Sequence, residues 1–248
     1  MRDWWLALSR PRRLFVTAVA ALVVAGTATT AVLVLGSGPS QDGPVPVLLV
    51  PGYGGSRSAL STLADELRRA GRDARVVPLP GDGTGDLNAQ ARALDDAAGD
   101  AGSVDVVGYS AGGVVARLWV NGPGADRVRR VVTLGSPLHG TDLAAEGGVI
   151  APGACPVACQ QLSPGSALLT AADRRPVAVP WLSIWTENDQ TVRPPDSARL
   201  AGAVNVSVQE LCARAVVAHS ELPTSPLVTR VVLAALSGRA MTAPVAGC

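Results

Sequence analysis

The chain has 248 residues, of which 48% are hydrophobic, 17% are charged and 3% are aromatic, and its formal net charge is +1. This composition excludes a disordered chain, a collagen-like chain and a strongly basic nucleic-acid-binding protein. We therefore expect no nucleic-acid partner, and a single domain that is long enough to bury a hydrophobic core.

The N-terminal part of the chain contains an uncharged apolar segment, residues 14–35, that follows a basic stretch. A helix of this length would be about 33 Å long, which is enough to cross the core of a bilayer. The positive-inside rule then places residues 1–13 in the cytoplasm, residues 36–43 in a linker and residues 44–248 outside the cell.

A cleaved signal sequence is the alternative for the same segment. Ala25, Ala28 and Ala31 are small residues of the kind found at signal cleavage sites, although the apolar run is longer than is usual there. The sequence therefore predicts either a cell-membrane protein with an extracellular domain or a secreted protein.

Four cysteines lie beyond the apolar segment: Cys155, Cys159, Cys212 and Cys248. In an oxidising compartment they are expected to form disulfides, and three pairings are possible. We favour a short local bridge between Cys155 and Cys159 together with a bridge between Cys212 and Cys248. A zinc site is disfavoured because the chain has only two histidines, so no metal and no cofactor is expected.

Short Val-rich runs bounded by Gly and Pro alternate with helical patterns along residues 44–248, which is typical of a parallel sheet covered by helices. The fold class is therefore α/β, a single minimal domain with a mostly parallel central sheet of about six strands. No regular pattern is found between residues 138 and 179 except for a short helix near 166–172. The predicted strands are 45–50, 74–79, 104–107, 128–134, 181–185 and 204–208, and the predicted helices are 56–70, 87–98, 111–119, a short one near Ser197, and 225–236.

The strongest motif is Gly108-Tyr109-Ser110-Ala111-Gly112, which lies between a predicted strand and a predicted helix. A nucleophile elbow needs this placement, because the serine must project from a sharp turn at the carboxyl end of a strand. The alternative is an ordinary glycine-rich turn. We interpret Ser110 as a catalytic nucleophile.

An oxyanion hole needs two backbone amides near that serine. The Ala111 amide at the start of the next helix would supply one. The glycine-rich loop Pro51-Gly52-Tyr53-Gly54-Gly55, which follows the first strand, would supply the Tyr53 amide as the other. Nucleotide binding by this loop is disfavoured because it lacks the lysine of a P-loop.

The base that activates the serine must be one of two histidines. His219 lies in a loop after the last predicted strand and before the terminal helix, where the base of this arrangement belongs, so we interpret it as the base. His139 is interpreted as a structural hydrogen-bonding residue near the site. The acid that orients the base is expected after the strand 181–185, where Asp189 is preferred and Glu187 and Asp196 are alternatives.

The motifs at 50–55, 108–113 and 133–141, taken with Asp189 and His219, resemble the small secreted bacterial lipases and esterases of the α/β-hydrolase fold, the class 2 lipases of the triacylglycerol lipase family. The resemblance spans roughly residues 45–237. It implies esterase or triacylglycerol lipase activity on acylglycerols or related lipids, without a metal ion. Many relatives have His where Pro51 stands, a difference that leaves the backbone amides of the loop in place.

The sequence thus predicts a serine hydrolase that forms an acyl-enzyme with Ser110, Asp189 and His219 as the catalytic triad. An apolar wall of Leu138, Val149, Ile150 and Leu162 is expected to hold the acyl group. An acyltransferase of cell-envelope lipids would use the same triad. A serine peptidase and a membrane-tethered binding module without activity are further alternatives. We expect a monomer that has a lipid or ester as its substrate and contacts a membrane through its N-terminal helix.

Overall fold

The computed structural model describes residues 45–150, 155–244 and 247–248, with isolated positions before residue 20. The chain divides into one unit at Met1–Gly38 and a second at Pro39–Cys248. The predicted anchor or signal sequence at 14–35 lies almost entirely outside the described residues, and the linker at 36–43 lies wholly outside them. In the part of the chain that is described, no helix is both long enough and apolar enough to cross a membrane.

The second unit contains a sheet of six strands in the order β2-β1-β3-β4-β5-β6, and every neighbouring pair is parallel. The parallel six-stranded sheet predicted from the sequence is therefore confirmed. The strands are β1 (Val47–Val50), β2 (Ala74–Val76), β3 (Val104–Tyr109), β4 (Val128–Leu134), β5 (Trp181–Trp185) and β6 (Val204–Ser207).

Helices lie between the strands and after the last one. They are α1 (Ser58–Arg69), α2 (Leu87–Ala98), α3 (Ala111–Val120), α4 (Asp142–Ile150), α5 (Val157–Gln161), α6 (Ala167–Asp173), α7 (Val208–Leu211) and α8 (Pro226–Ala235), with 3-10 turns at Pro195–Ala198 and His219–Glu221. Three of these helices, α4, α5 and α7, were not predicted from the sequence. Two of the three connect β4 to β5, in the region that showed no regular sequence pattern.

The sheet separates two hydrophobic cores, because successive side chains of a strand point to opposite faces. In β1, Leu48 and Val50 belong to the core that includes residues of α2 and α3. Val47 and Leu49 belong to the other core, with residues of α1 and α8. The sheet is thus covered on both faces, so the ends of its strands are where side chains can reach solvent.

A buried ion cluster lies at the amino end of β3. The fully buried Asp105 carboxylate accepts hydrogen bonds from Arg129 Nε at 2.8 Å, from Arg129 Nη2 at 2.5 Å and from Arg72 Nη2 at 2.7 Å. Arg129 is also buried, so its charge depends on this carboxylate for compensation. Ser110 lies just beyond the opposite end of the same strand.

Replacing Asp105 with asparagine is expected to lower the free energy of unfolding by about 3–5 kcal/mol, because it leaves buried arginine charge without its partner. Denaturant unfolding of the oxidised protein measures the loss. Asp65→Asn is the matched control, since Asp65 pairs with Arg68 on the exposed surface of α1 and its removal should cost less than about 1 kcal/mol. Equal losses in the two variants would contradict the role given to the cluster.

Candidate active site

Ser110 lies on a sharp turn between β3 and α3. Its backbone angles are φ 53° and ψ −128°, and it is the one non-glycine residue with positive φ among those that the structure describes. A side chain is rarely held in this conformation unless the surrounding structure requires it. The conformation is the one expected of a nucleophile elbow.

Two glycines allow the turn to pack closely against its neighbours. A Cβ at Gly112 would lie 2.2 Å from the carbonyl oxygen of Val50, and a Cβ at Gly108 would lie 2.5 Å from Gly113 Cα. Both distances are far below van der Waals contact, so each position requires glycine. The elbow is therefore fixed against the end of β1.

The loop after β1 lies beside the elbow. A Cβ at Gly52 would lie 2.9 Å from Ser110 Cβ, which shows how closely the two segments approach each other. The backbone amides of Tyr53 and Ala111 have no hydrogen-bond acceptor within the described residues. Both residues border the same cavity as Ser110. The two predicted oxyanion residues are thus next to Ser110 and have amides free to bind a ligand.

Asp189 and His219 form a buried pair. His219 Nδ1 lies 2.6 Å from Asp189 Oδ2, and the other carboxylate oxygen accepts hydrogen bonds from the amides of Thr191 and Val192, each at 2.8 Å. Because a carboxylate only accepts, His219 Nδ1 carries the proton and Nε2 is left as the acceptor. This tautomer is the one that a general base of the serine-hydrolase type requires.

Tyr109, the residue before Ser110, contacts His219 directly. The two rings have centroids 5.2 Å apart, and the Tyr109 hydroxyl donates to the His219 carbonyl oxygen at 3.3 Å. Ser110 Oγ has no hydrogen-bond partner among the described residues, His219 included. In unliganded serine hydrolases the hydrogen bond between the serine and the histidine is often long, and it shortens when substrate binds. The structure therefore places His219 next to the elbow, without a hydrogen bond between His219 and Ser110.

The alternatives for the acid and the base lie elsewhere. The Glu187 carboxylate accepts a hydrogen bond from Ser207 Oγ at 3.1 Å, and Asp196 lies in the 3-10 turn Pro195–Ala198. His139 Nδ1 lies 3.0 Å from an Asp173 carboxylate oxygen, and its Nε2 lies 3.0 Å from the Arg199 carbonyl oxygen. His139 therefore links three segments of the fold, in keeping with the structural role predicted for it.

Burial raises the pKa of Tyr109 to about 12, and the Asp189 charge contributes in the same direction. The chain has one other tyrosine, Tyr53, whose pKa is also raised by burial and by Asp82. The Tyr53→Phe variant leaves Tyr109 as the only tyrosine, so the ultraviolet absorbance of tyrosinate reports on it alone.

In Tyr53→Phe, we expect tyrosinate to appear near pH 12 in the folded protein and near pH 10 in denaturant. Since the pKa in the folded state is the higher one, Tyr109 contributes stability that is fully present below pH 10 and is lost as the pH rises toward 12. A folded-state midpoint near pH 10 would show that Tyr109 is not buried against His219.

A cavity of about 190 Å³ reaches Ser110. It is bordered by the elbow, by Tyr53, by α4 and by the loop that follows β5. A groove beside α8 is larger, at about 870 Å³, but neither Ser110 nor His219 lines it. Among the residues that the structure describes, no group of three or more His, Cys, Asp or Glu side chains is arranged to hold a metal ion.

The predicted acyl-binding wall is only partly correct. Leu162 lines the cavity, but Leu138 is buried in the core and Val149 is 80% exposed. The side chain of Ile150 lies outside the described residues. The sequence did not predict the α4 residues Leu143 and Ala144 in the cavity lining, because α4 itself was not predicted. It also did not predict Thr191 and Val192 there, because they lie in a loop without a regular pattern.

Both disulfides have the pairing that the sequence favoured. Cys155 is bonded to Cys159, and Cys212 is bonded to Cys248. Cys159 also lines the cavity, so the first disulfide belongs to the surroundings of the site.

Comparison with solved structures identifies the architecture. Aspergillus fumigatus lipase B superposes with a TM-score of 0.67 at 18% identity, covering 84% of this chain and 56% of the lipase. A Bacillus licheniformis lipase crystallised in its propeptide form gives 0.64 at 19% identity, covering 82% of this chain and 52% of the lipase. An extracellular α/β-hydrolase from a Paenibacillus species gives 0.54 at 14% identity, covering 77% and 99%. The chain has the α/β-hydrolase fold.

Sequence comparison adds one local match. The family model of the PGAP1-like alpha/beta domain matches residues 89–151, a segment that contains the elbow, α3 and β4. No curated protein sequence matches the chain. The chain spans little more than half of the length of the two lipases, so their activities are not transferred to it with the fold.

Proposed function

We propose that this protein is a serine hydrolase that cleaves carboxylic esters through an acyl-enzyme intermediate, in the manner of the small bacterial lipases and esterases. The observation that carries the proposal is the strained Ser110 lining a cavity, with a buried Asp189–His219 pair packed against the preceding residue. Neither a glycine-rich turn nor a binding module needs a serine held at positive φ beside such a pair.

In the first half of the reaction, Ser110 Oγ attacks the ester carbonyl carbon while His219 Nε2 takes the hydroxyl proton. The carbonyl oxygen becomes an oxyanion and accepts hydrogen bonds from the Tyr53 and Ala111 amides. When the tetrahedral intermediate collapses, the C–O bond to the alcohol breaks and His219 returns the proton to the leaving oxygen.

In the second half, His219 takes a proton from water, and the resulting nucleophile attacks the acyl-enzyme. The carboxylic acid leaves, and Ser110 recovers its proton from His219. Asp189 remains ionised throughout and stabilises the imidazolium that forms in each half. No step requires a metal ion or a cofactor.

We also propose that the domain works outside the cytoplasm, since disulfides persist in oxidising compartments and are rare in the cytosol. Residues 14–35 would then act as an anchor or as a cleaved signal. Fractionation of cells that express the full chain separates these outcomes, because an anchored protein stays with the membranes and a cleaved one is released.

Labelling with a fluorophosphonate tests the mechanism, because this probe phosphonylates an activated serine. Peptide mass spectrometry of the labelled full chain should find the adduct on Ser110. Hydrolysis of p-nitrophenyl butanoate should be lost in proportion to labelling. An adduct on another serine, or no adduct and no hydrolysis, would refute the proposal. Turnover that requires an added alcohol would indicate an acyltransferase instead.

A further inference from the structure

The cavity beside Ser110 has an apolar wall built from three separate parts of the chain. Leu143 and Ala144 come from α4, Leu162 follows α5, and Val192 lies in the loop after Asp189. No charged side chain is among the described residues that line it. Such a cavity favours a neutral apolar group next to the serine over a charged one, since an unpaired charge is costly to remove from water.

Hydrogen bonds hold these wall segments together. The Thr141 amide donates to the Leu162 carbonyl oxygen at 3.0 Å, and Thr141 Oγ1 donates to the Thr191 carbonyl oxygen at 2.9 Å. The Asp142 amide at the start of α4 donates to the Arg193 carbonyl oxygen at 2.8 Å. The loop that carries Asp189 is therefore bound to the beginning of α4, and the spacing of the wall is set by the fold.

The first disulfide lies against the same helix. Cys159 Sγ lies 3.8 Å from the Ala144 carbonyl oxygen, and a Cβ at Gly147 would lie 3.6 Å from that sulfur. Packing of α4 against the disulfide restricts outward movement of the wall at this side. The position of α4 is therefore restricted by hydrogen bonds at its start and by the disulfide near Ala144, and so is the width of the cavity.

The size of the cavity limits what it can enclose. An apolar protein cavity of roughly 150 Å³ holds one benzene molecule, which has about six carbon atoms. At about 190 Å³, the cavity beside Ser110 has room for an acyl chain on the order of six to eight carbons. Carbons beyond this number would extend past the volume that the described residues line and should gain less from burial.

We infer that this cavity is the acyl-binding site and that it selects neutral, short acyl chains, with the small side chain of Ala144 and the packing of Leu162 setting the chain length. The inference rests on the proposed ester hydrolysis and adds its substrate class.

The test is a series of p-nitrophenyl esters, ethanoate to dodecanoate, used below their aggregation concentrations with the oxidised full chain. In the wild type, kcat/KM should rise roughly fourfold per methylene, peak at hexanoate or octanoate, and then stay level or fall. A value of kcat/KM that keeps rising to dodecanoate overturns the inference. This arm needs no variant.

Two variants on the same helix make the test specific. Ala144→Leu adds about three carbon atoms inside the cavity and should move the peak to shorter chains by a similar number. Val149→Ala is the matched control, since Val149 is on α4 but 80% exposed and outside the cavity, so its profile should match the wild type. If Ala144→Leu folds and keeps the wild-type profile, the assignment is wrong.

The two proposals fail in different ways. If Ser110 is labelled by fluorophosphonate and esters are turned over without a chain-length limit, the acyl-site inference fails and ester hydrolysis stands. If Ser110 is not labelled and no ester of the series is hydrolysed, the proposed function itself fails.

Discussion

Ser110→Ala is expected to lower kcat for p-nitrophenyl butanoate by roughly a million-fold, to the level that binding and oxyanion contacts alone can support. The reason is that the acyl-enzyme cannot form without Oγ, and no other group of the elbow can replace it. Initial rates at saturating substrate measure the loss, together with titration of the wild type by fluorophosphonate to count active sites.

Ser61→Ala is the matched control for this substitution, because Ser61 is an exposed serine on α1 that bonds only to the Arg57 carbonyl oxygen. It should keep wild-type kcat. Alanine at this position must adopt the same positive φ, which is unfavourable for it. Thermal unfolding therefore checks that Ser110→Ala is folded. A folded Ser110→Ala variant with activity within about tenfold of the wild type would exclude Ser110 as the nucleophile.

Asp189→Asn is expected to lower kcat by roughly ten-thousand-fold. The neutral amide no longer stabilises the imidazolium, and its NH₂ group can donate to His219 Nδ1, which favours the wrong tautomer. The Thr191 and Val192 amides can still bond to the side-chain oxygen, so the loop should keep its shape. KM should change far less than kcat, because Asp189 does not line the cavity.

The competing carboxylates provide the controls for Asp189. Glu187→Gln and Asp196→Asn remove charge nearby in the sequence without touching the His219 pair, and both should keep activity within about twofold of the wild type. Loss of activity in either one, with activity retained in Asp189→Asn, would move the role of the acid to that residue.

Much of the fold could be predicted because local sequence and tertiary structure agree in the sheet. Strand β1 is buried at all four positions and reads as a short apolar run, Val-Leu-Leu-Val. The sharp turn at Ser110 could be predicted because such a turn needs glycines at fixed positions. The nearness of Asp189 and His219 could be predicted because each follows a late strand of the sheet.

The helices α4 and α5 could not be predicted, for a physical reason. Helix α4 contains the adjacent residues Gly147 and Gly148, which weaken an isolated helix by about 1 kcal/mol each relative to alanine. Its start is held by contacts with the distant Arg193 segment, which a local pattern does not reveal. Helix α5 has only five residues, and its Cys159 is bonded to Cys155 just before the helix.

The cavity was missed for the same reason. Its volume depends on how α4, Leu162 and Val192 pack together, and these come from separate segments whose arrangement is not encoded in any single motif. The contact between Tyr109 and His219 is another such long-range feature, since the two residues are 110 positions apart. Strands and sharp turns were therefore easier to predict than cavities and contacts between distant segments.

The proposed triad and the proposed acyl wall occupy different parts of the chain. Ser110, Asp189 and His219 follow strands of the sheet, whereas most of the wall belongs to the connection between β4 and β5. Because β4 and β5 are already paired with each other, this connection can change in length without breaking the sheet. If the proposed function holds, the segments that carry the reaction and the segment that sets acyl preference are therefore separable in the chain. Replacing the β4–β5 connection should then change ester preference more than it changes the reaction.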